Sequence, residues 1–501
     1  MIFNGLLAII ACIPVWVFRY FPLRDLPVWL FEIKTYGAYQ RLGLDRFYEI
    51  AHFPVPKLIF NLSVYWLNSI LPLTIAAKIM ITVALLAPPL GIIYLFRSSP
   101  LGAKRRPLET IGFLFCYNRL FFTGLFDYLI GLGLYLFLIG FLLRRKAGWA
   151  LRESLVIFFG TVLLYLSHLF PYMLFCLTLA LFYFFDKTFS KKCFSKLPLL
   201  LLPTVFLTIT YFLTYANFLK VVSYGSWGLK LSALVTLFTP YCKFYPFDNP
   251  LPTCFLNLCL FSIFILLLAV LFIQNGKRLD YKNPFFILSA VFMCLAVVLP
   301  AEFDGSAGVS SRFGYPIYIF FLLSFASLPP VSPVFLKRTI SVLFVFCVLS
   351  SCVSFYYVGK KVRKELEQQL VYLDPGKKIC QIFEYFSKYP LKNRLTPGVQ
   401  LDHSLMYLYL DKGGVTRGIF GTSLLKLGRN YPDTLQEFFG IMDDAGMKDL
   451  QDNAENFKAY DNIVIRGRVP RINVIEGFFA KDFRVVYRDE NLIILRNNLS
   501  K

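Results

Sequence analysis

The chain has 501 residues, is 57% hydrophobic and only 16% charged, and carries 55 Phe and 30 Tyr. That much apolar surface excludes a cytosolic enzyme, a secreted disulfide scaffold and a disordered chain, and leaves a polytopic membrane protein. The net charge of +22 fits Lys and Arg gathered in cytoplasmic loops beside anionic lipid, so no nucleic-acid partner is expected.

The first apolar run, Ile2 to Val17, has no basic leader and no Ala-x-Ala cleavage site, so it reads as an uncleaved span. About eleven runs approach the ~20 residues that cross a bilayer. They lie near 2–21, 75–96, 108–124, 127–143, 149–167, 169–185, 197–217, 251–273, 284–300, 314–329 and 339–358. A shorter run, 58–73, contains Pro72 and reads as interfacial or re-entrant. The eleven cysteines scatter mostly through apolar runs, with no metal-site spacing, and read as buried, inert thiols.

Alternate loops differ in charge. One set, with its span ends, includes Arg97, Lys104, Arg105, Arg106, Arg144, Arg145, Lys146 and Arg152, and holds seventeen Lys and Arg in all. The opposite short loops hold five: Arg119, Lys220, Lys230, Lys243 and Arg312. The first set is therefore expected in the cytoplasm. Parity then puts the N-terminus inside and residues 359–501 outside. Residues 22–57 carry five basic residues on the expected outer side, interleaved with Asp25, Glu32, Asp45 and Glu49. A structured amphipathic loop accounts for this; a flipped topology is the alternative. The expected domains are a transmembrane part, 1–358, with its outer loop 22–57, and an extracytoplasmic α/β part, 359–501.

In that last part, turn signals appear at Asp374-Pro375-Gly376, Pro397-Gly398 and Lys412-Gly413-Gly414. Asn462–Ile465, Phe483–Tyr487 and Leu492–Leu495 read as strands, the last two flanking a hairpin turn. Leu435–Met442 and its neighbours read as a helix.

Chemistry in such a protein needs ionisable groups near the outer span ends. Asp25 follows the first span and is placed to act as a general base at the water–lipid boundary; an ion pair with Arg24 or Arg46, or a helix cap, is the structural alternative. Asp127 opens the fourth span, where it can pair with Arg119 or cap its helix. Gly131, Gly133 and Gly140 behind it suit close helix approach. Ser167-His168 ends the fifth span. Glu302, Asp304 and Arg312 bracket Gly305 and Gly308, a loop in which Arg312 can grip phosphate bidentately, or which is a solvated turn with its own ion pair. His403 is the one His of the C-terminal part. Walker-type loop, HExxH, GxSxG and CxxC motifs are missing, which argues against an ATP-driven pump, a zinc protease and a serine hydrolase.

At these residues the chain resembles the GT-C superfamily of polytopic glycosyltransferases, which use polyprenyl-phosphate-linked sugars. Asp25-Leu26-Pro27-Val28-Trp29-Leu30 is similar to the first-loop pattern Asp-Tyr-Pro-Asn-His-Leu of bacterial members, with Trp29 at the His position. Asp127-Tyr128-Leu129-Ile130-Gly131-Leu132-Gly133-Leu134 resembles their Gly-rich start of span four, and Ser167-His168-Leu169 their span-five ending. Arg312, at the start of a late span, and the outer stretch with His403 and Tyr460–Val464 also fit.

The resemblance implies a membrane glycosyltransferase with Asp25 as catalytic base. It makes Arg312 and Lys57 the cations for the donor phosphate, and Asp127, His168, Glu302, Asp304 and His403 candidate substrate contacts. The implied partners are a polyprenyl-phosphate sugar donor, membrane lipid and a glycan, lipid or protein acceptor; the implied location is a bacterial inner membrane, with transfer on its outer face. Members differ in their need for a divalent metal, and the sequence leaves that open. Two other readings remain: a transporter or flippase of lipid-linked sugars, which predicts inverted repeats and midplane charges, and a non-catalytic assembly protein.

Overall fold

In the computed structural model the described residues are 2–18, 23, 25–41, 45, 48–51, 55–99, 106–145, 149–185, 191–214, 222–223, 230, 282–300, 302–303, 306–307, 309–324, 333–373, 379–384, 425–427, 438–441, 448, 450–451, 454–466, 469–488 and 492–499. They fall into two compact units, 1–19 with 52–355, and 20–51 with 356–501.

The first unit is helical. It contains α1 (Ile2–Val17) and, past residue 52, α3 (Ile59–Asn68), α4 (Leu73–Ser98), a 3-10 helix (Arg106–Phe115), α5 (Arg119–Thr123), α6 (Phe126–Arg144), α7 (Leu151–Ser167), α8 (Leu169–Phe185) and α9 (Lys191–Thr214). Further on come α10 (Pro284–Val298), α11 (Val309–Ser324) and the start of α12 (Pro333–Tyr372). Among the described residues α4, α6 and Ser195–Thr214 of α9 are long and apolar enough to cross a membrane, and α1, α8 and α10 are shorter apolar helices. The expected span at 251–273 lies outside the described residues.

The core of this unit is the α4–α6 pair. A Cβ on Gly133 would stand 2.5 Å from the backbone carbon of Ala87, and one on Gly140 would stand 2.8 Å from the Tyr94 ring. These glycines let the two helices touch almost backbone to backbone, as their spacing predicts.

The run 108–124 is not one membrane-length helix. It is the 3-10 helix followed by α5, broken at Asn118, whose extended backbone and side-chain oxygen cap α5 through Leu120 N and Phe121 N. Gly124, at φ 84°, then ends α5 in the left-handed region, which costs a residue without Cβ little. A small ladder joins β2 (Val222–Ser223), β3 (Glu302–Phe303) and β4 (Ser306–Ala307), all antiparallel. Lys230 Nζ donates to the carbonyls of Val297 and Leu299, both at 2.7 Å, and so caps the C-terminus of α10.

The second unit begins in the first loop with α2 (Leu26–Ala38) and β1 (Tyr48–Ile50). Past α12 it holds β5 (Ile379–Glu384), β6 (Leu425–Leu427), β7 (Phe438–Ile441), β8 (Asn462–Arg466), α13 (Val469–Phe479), β9 (Phe483–Arg488) and β10 (Leu492–Asn497). Five strands form one mixed sheet in the order β7-β5-β8-β10-β9. Its core, filled by Cys380, Ile463, Ile465, Ile493 and Leu495, is closed by Ile475 and Phe479 of α13. The three strands read from the sequence are β8, β9 and β10, the last two an antiparallel pair. The helix expected over Leu435–Met442 is corrected: Phe438–Ile441 is β7, parallel to β5. Three bulky residues around a glycine satisfy an edge strand once a partner is present, and that pairing overrides local propensity. The turn signals at 374–376, 397–398 and 412–414 lie outside the described residues. Strand β1 pairs antiparallel with β6, Glu49 opposite Lys426, so part of the first loop is hydrogen-bonded into the same unit as the C-terminal region.

Candidate anion-binding site

In the first unit, four of the residues singled out from the sequence come together where α7 gives way to α8. His168 stands between these helices in extended backbone (φ −168°, ψ 131°) and is 5% exposed. Its Nδ1 accepts a hydrogen bond from Phe170 N at 3.1 Å. A neutral imidazole that accepts at Nδ1 carries its proton on Nε2. That Nε2 is buried without a hydrogen-bond partner among the described residues. Burial above all, then the charges of Arg312 and Lys57, hold the His168 pKa well below its usual value, because each disfavours a second positive charge. His168 is therefore a neutral N–H donor beside two cations.

Arg312 lies in the first turn of α11 and is 5% exposed. Its guanidinium sits over the Phe170 ring, 6.0 Å from the centroid, a cation–π contact. The Tyr128 hydroxyl donates to the Arg312 carbonyl at 2.5 Å. The Tyr128 ring meets His168 edge-on at 5.6 Å and lies 6.2 Å from Phe170. One turn on, the Tyr315 hydroxyl donates to the Phe115 carbonyl at 2.5 Å. The start of α11 is thus tied at two points to the segment 115–128.

Lys57 has φ 70°, the left-handed region, which costs a residue with a Cβ about 1–2 kcal/mol. Two bonds on its C-terminal side hold it there. Leu58 N donates to the Leu166 carbonyl at 2.9 Å, two residues before His168. Phe60 N donates to Asp127 Oδ1 at 2.7 Å. The N-cap residue of α3 is Leu58, which has no capping side chain, so the carboxylate of Asp127, on α6, does that work instead. Asp127 does not use this bond to cap its own helix: it caps a neighbour.

The Arg312 guanidinium and the Lys57 ammonium thus both act on the buried imidazole of His168. Such a set holds an oxyanion, with Arg312 shaped for two phosphate oxygens and Lys57 acting as a point charge.

The other expected residues fall elsewhere. Asp25 belongs to the second unit, at the N-cap of α2, partly buried; its side chain makes no capping bond. Glu302 is in β3, opposite Ser223 and Ala307. Asp304 and His403 lie outside the described residues. Among the described residues no three His, Cys, Asp or Glu are grouped to hold a metal ion. Reading by charge alone missed Tyr128 and Phe170. The available signal was adjacency, since they lie one residue after Asp127 and two after His168.

No family model and no curated protein matches the sequence. The structure matches the crystal structure of ArnT from Cupriavidus metallidurans bound to undecaprenyl phosphate. The TM-score is 0.52 and the identity 12%, over 100% of this chain and 98% of that one. The chain shares the fold of that protein. At this identity the likeness is one of fold, and that fold together with the apolar helices fits a polytopic membrane protein.

Proposed function

We propose that the chain is an integral membrane glycosyltransferase that moves a sugar from a polyprenyl-phosphate donor to an acceptor hydroxyl on the outer face of the membrane. The observation that carries this is that two cations, Arg312 and Lys57, both act on the buried imidazole of His168, whose Nε2 has no hydrogen-bond partner among the described residues, in the fold of a protein crystallised with undecaprenyl phosphate.

In the proposed reaction the acceptor oxygen attacks the anomeric carbon of the donor sugar. The bond from that carbon to the phosphate oxygen breaks, and the polyprenyl phosphate leaves with the electron pair. Lys57 and Arg312 stabilise the negative charge that develops on the leaving oxygen. His168 donates to a further phosphate oxygen while staying neutral. Asp25, from the family resemblance, takes the acceptor proton. Its place at a helix start whose N–H groups it leaves uncapped is compatible with that task. Glu302, Asp304 and His403 are proposed acceptor-side contacts. The domain reading proposed with this function keeps the membrane part at 1–358 and the outer part at 359–501, in a bacterial inner membrane with the N-terminus inside.

The test is native mass spectrometry of the purified chain with a polyprenyl-phosphate sugar, followed by a transfer assay. Wild type is expected to retain the lipid and Arg312→Ala to lose it. Asp25→Ala is expected to bind the lipid, express normally and fail to transfer. Full transfer by Asp25→Ala would remove it as the base; absence of bound lipid in every preparation would remove the glycosyltransferase reading.

A further inference from the structure

We propose that the groove between α6 and α7 is a binding site for an anionic diacyl phospholipid, with one acyl chain along α7 and the headgroup at Arg152. This inference does not rest on the glycosyltransferase reading. The groove has a volume of about 560 Å³. Phe137 and Leu138 line it from α6; Leu155, Phe159 and Leu163 line it from α7. It exists because Gly160 has no side chain: Leu138 occupies that space, 2.6 Å from where a Cβ would stand, and the larger side chains splay to either side. Phe137, Leu155, Phe159 and Leu163 are between 39% and 58% exposed, an apolar face that hydrocarbon covers without cost. From Leu151 to Leu163 the α7 wall runs ~18 Å at 1.5 Å per residue, the scale of one leaflet's acyl layer, itself about half of the ~30 Å hydrocarbon core.

The polar end decides the occupant. Arg152 lines the mouth of the groove and is exposed. The C-terminal end of α6 carries Arg144, over the Tyr94 ring at 5.3 Å, and Arg145 follows it, 3.8 Å from Glu153. Lys196 Nζ donates to the Trp149 carbonyl at 2.7 Å. Glu153 is the carboxylate beside Arg152 in sequence, and it is already engaged by Arg145 and, at 3.1 Å, by the Ala150 backbone N–H. A zwitterionic headgroup would bring its own cation into this field; a phosphatidylglycerol-type headgroup brings net negative charge. The charge distribution of the sequence assigns this end to the cytoplasmic side, where anionic lipid meets basic residues at span ends. The site lies at the α7 start, whereas the Lys57–His168–Arg312 cluster lies at the α7 end.

The experiment uses the full-length purified chain, washed in detergent and offered equal amounts of phosphatidylglycerol and phosphatidylcholine with identical chains, then read by native mass spectrometry. Wild type is expected to hold one phosphatidylglycerol about ten-fold in preference, the scale of one charge-assisted contact. Arg152→Gln, at an exposed position, is expected to reduce that preference below about two-fold. Leu155→Trp, which fills the groove, is expected to lower retention of both lipids. Equal retention by wild type, or a preference unchanged in both variants, would overturn the proposal. So would one-for-one displacement by added polyprenyl phosphate, which would assign the groove to a polyprenyl tail. No readout here depends on transfer, so its failure and that of the enzymatic reading are distinguishable.

Discussion

Replacing Asp127 by Ala isolates how Lys57, the proposed phosphate ligand, is held. The substitution removes the acceptor 2.7 Å from Phe60 N, a buried bond across 67 residues of sequence. A hydrogen bond to a charged group contributes about 1.5–3 kcal/mol, and loss of an N-cap costs about 0.5–2 kcal/mol. These describe the same bond and are not added, so the expected loss is about 2 kcal/mol. At the lower end of ~2 °C per kcal/mol for larger domains, the melting temperature in detergent falls by about 4 °C. Asp127→Asn keeps an oxygen acceptor and is expected to lose about half as much. The second consequence is specific to the site. Lys57 is three residues before Phe60 and adopts a backbone conformation that a residue with a Cβ resists. Freed from Asp127, the first turn of α3 loosens and the lysine leaves its position. Affinity for polyprenyl phosphate, followed by lipid titration, should fall about ten-fold, the equivalent of 1.4 kcal/mol. An Ala variant with unchanged melting and unchanged lipid affinity would refute the assignment of Asp127 as the cap that holds Lys57.

Other substitutions separate charge from conformation. Lys57→Gly keeps the left-handed backbone without strain, so melting should hold or rise slightly while lipid-phosphate affinity falls; a parallel loss of both in thermal and binding assays would count against the reading. Arg312→Lys retains charge but not the two-pronged donor set, and its affinity is expected to drop by about ten-fold or more. For His168, whose pKa is depressed by burial and by Arg312 and Lys57, the pH dependence has a definite sign. Above the usual value of 6.5 the ring is neutral whether folded or unfolded and contributes no slope. As pH falls below that value the unfolded chain binds the proton first, so stability is lost. His168→Gln should flatten the part of a melting series that lies below about pH 6.5; identical slopes there would argue against a buried neutral ring. Lys230→Met removes two bonds to the α10 carbonyls and should cost about 2–3 kcal/mol, measurable as a lower melting temperature with lipid affinity unchanged.

Much of the candidate site was legible because a membrane chain gives its few charges no idle places. Lys57, Asp127, His168 and Arg312 stood out simply as ionisable residues at the ends of apolar runs, and the fold gathers all four. Strands β8 to β10 were legible for a related reason: each is a short β-rich run bounded by turn residues. Partnership was not legible. Nothing in the sequence pairs Asp127 with Phe60, Leu58 with Leu166 or Tyr128 with the Arg312 carbonyl, because these bonds join main chain to residues many turns away. Hydrophobicity also cannot tell one helix from two pieces. The run 108–124 is mostly apolar, yet Asn118 divides it and Gly124 ends its last helix, and their effect depends on caps rather than on mean hydropathy.

The same limit explains the first loop. Its charge pattern suggested an amphipathic segment lying on the membrane, and charge alone could not show that Tyr48–Ile50 is a strand paired with Leu425–Leu427. Strand partners nearly 380 residues apart leave no local trace beyond β-propensity, which is weak over three residues. The pairing places the segment that carries Asp25 and the C-terminal region in one cooperative unit. A loop held this way has less conformational entropy to lose when it orders the proposed base, Asp25. Through β6 the C-terminal region then braces the first loop.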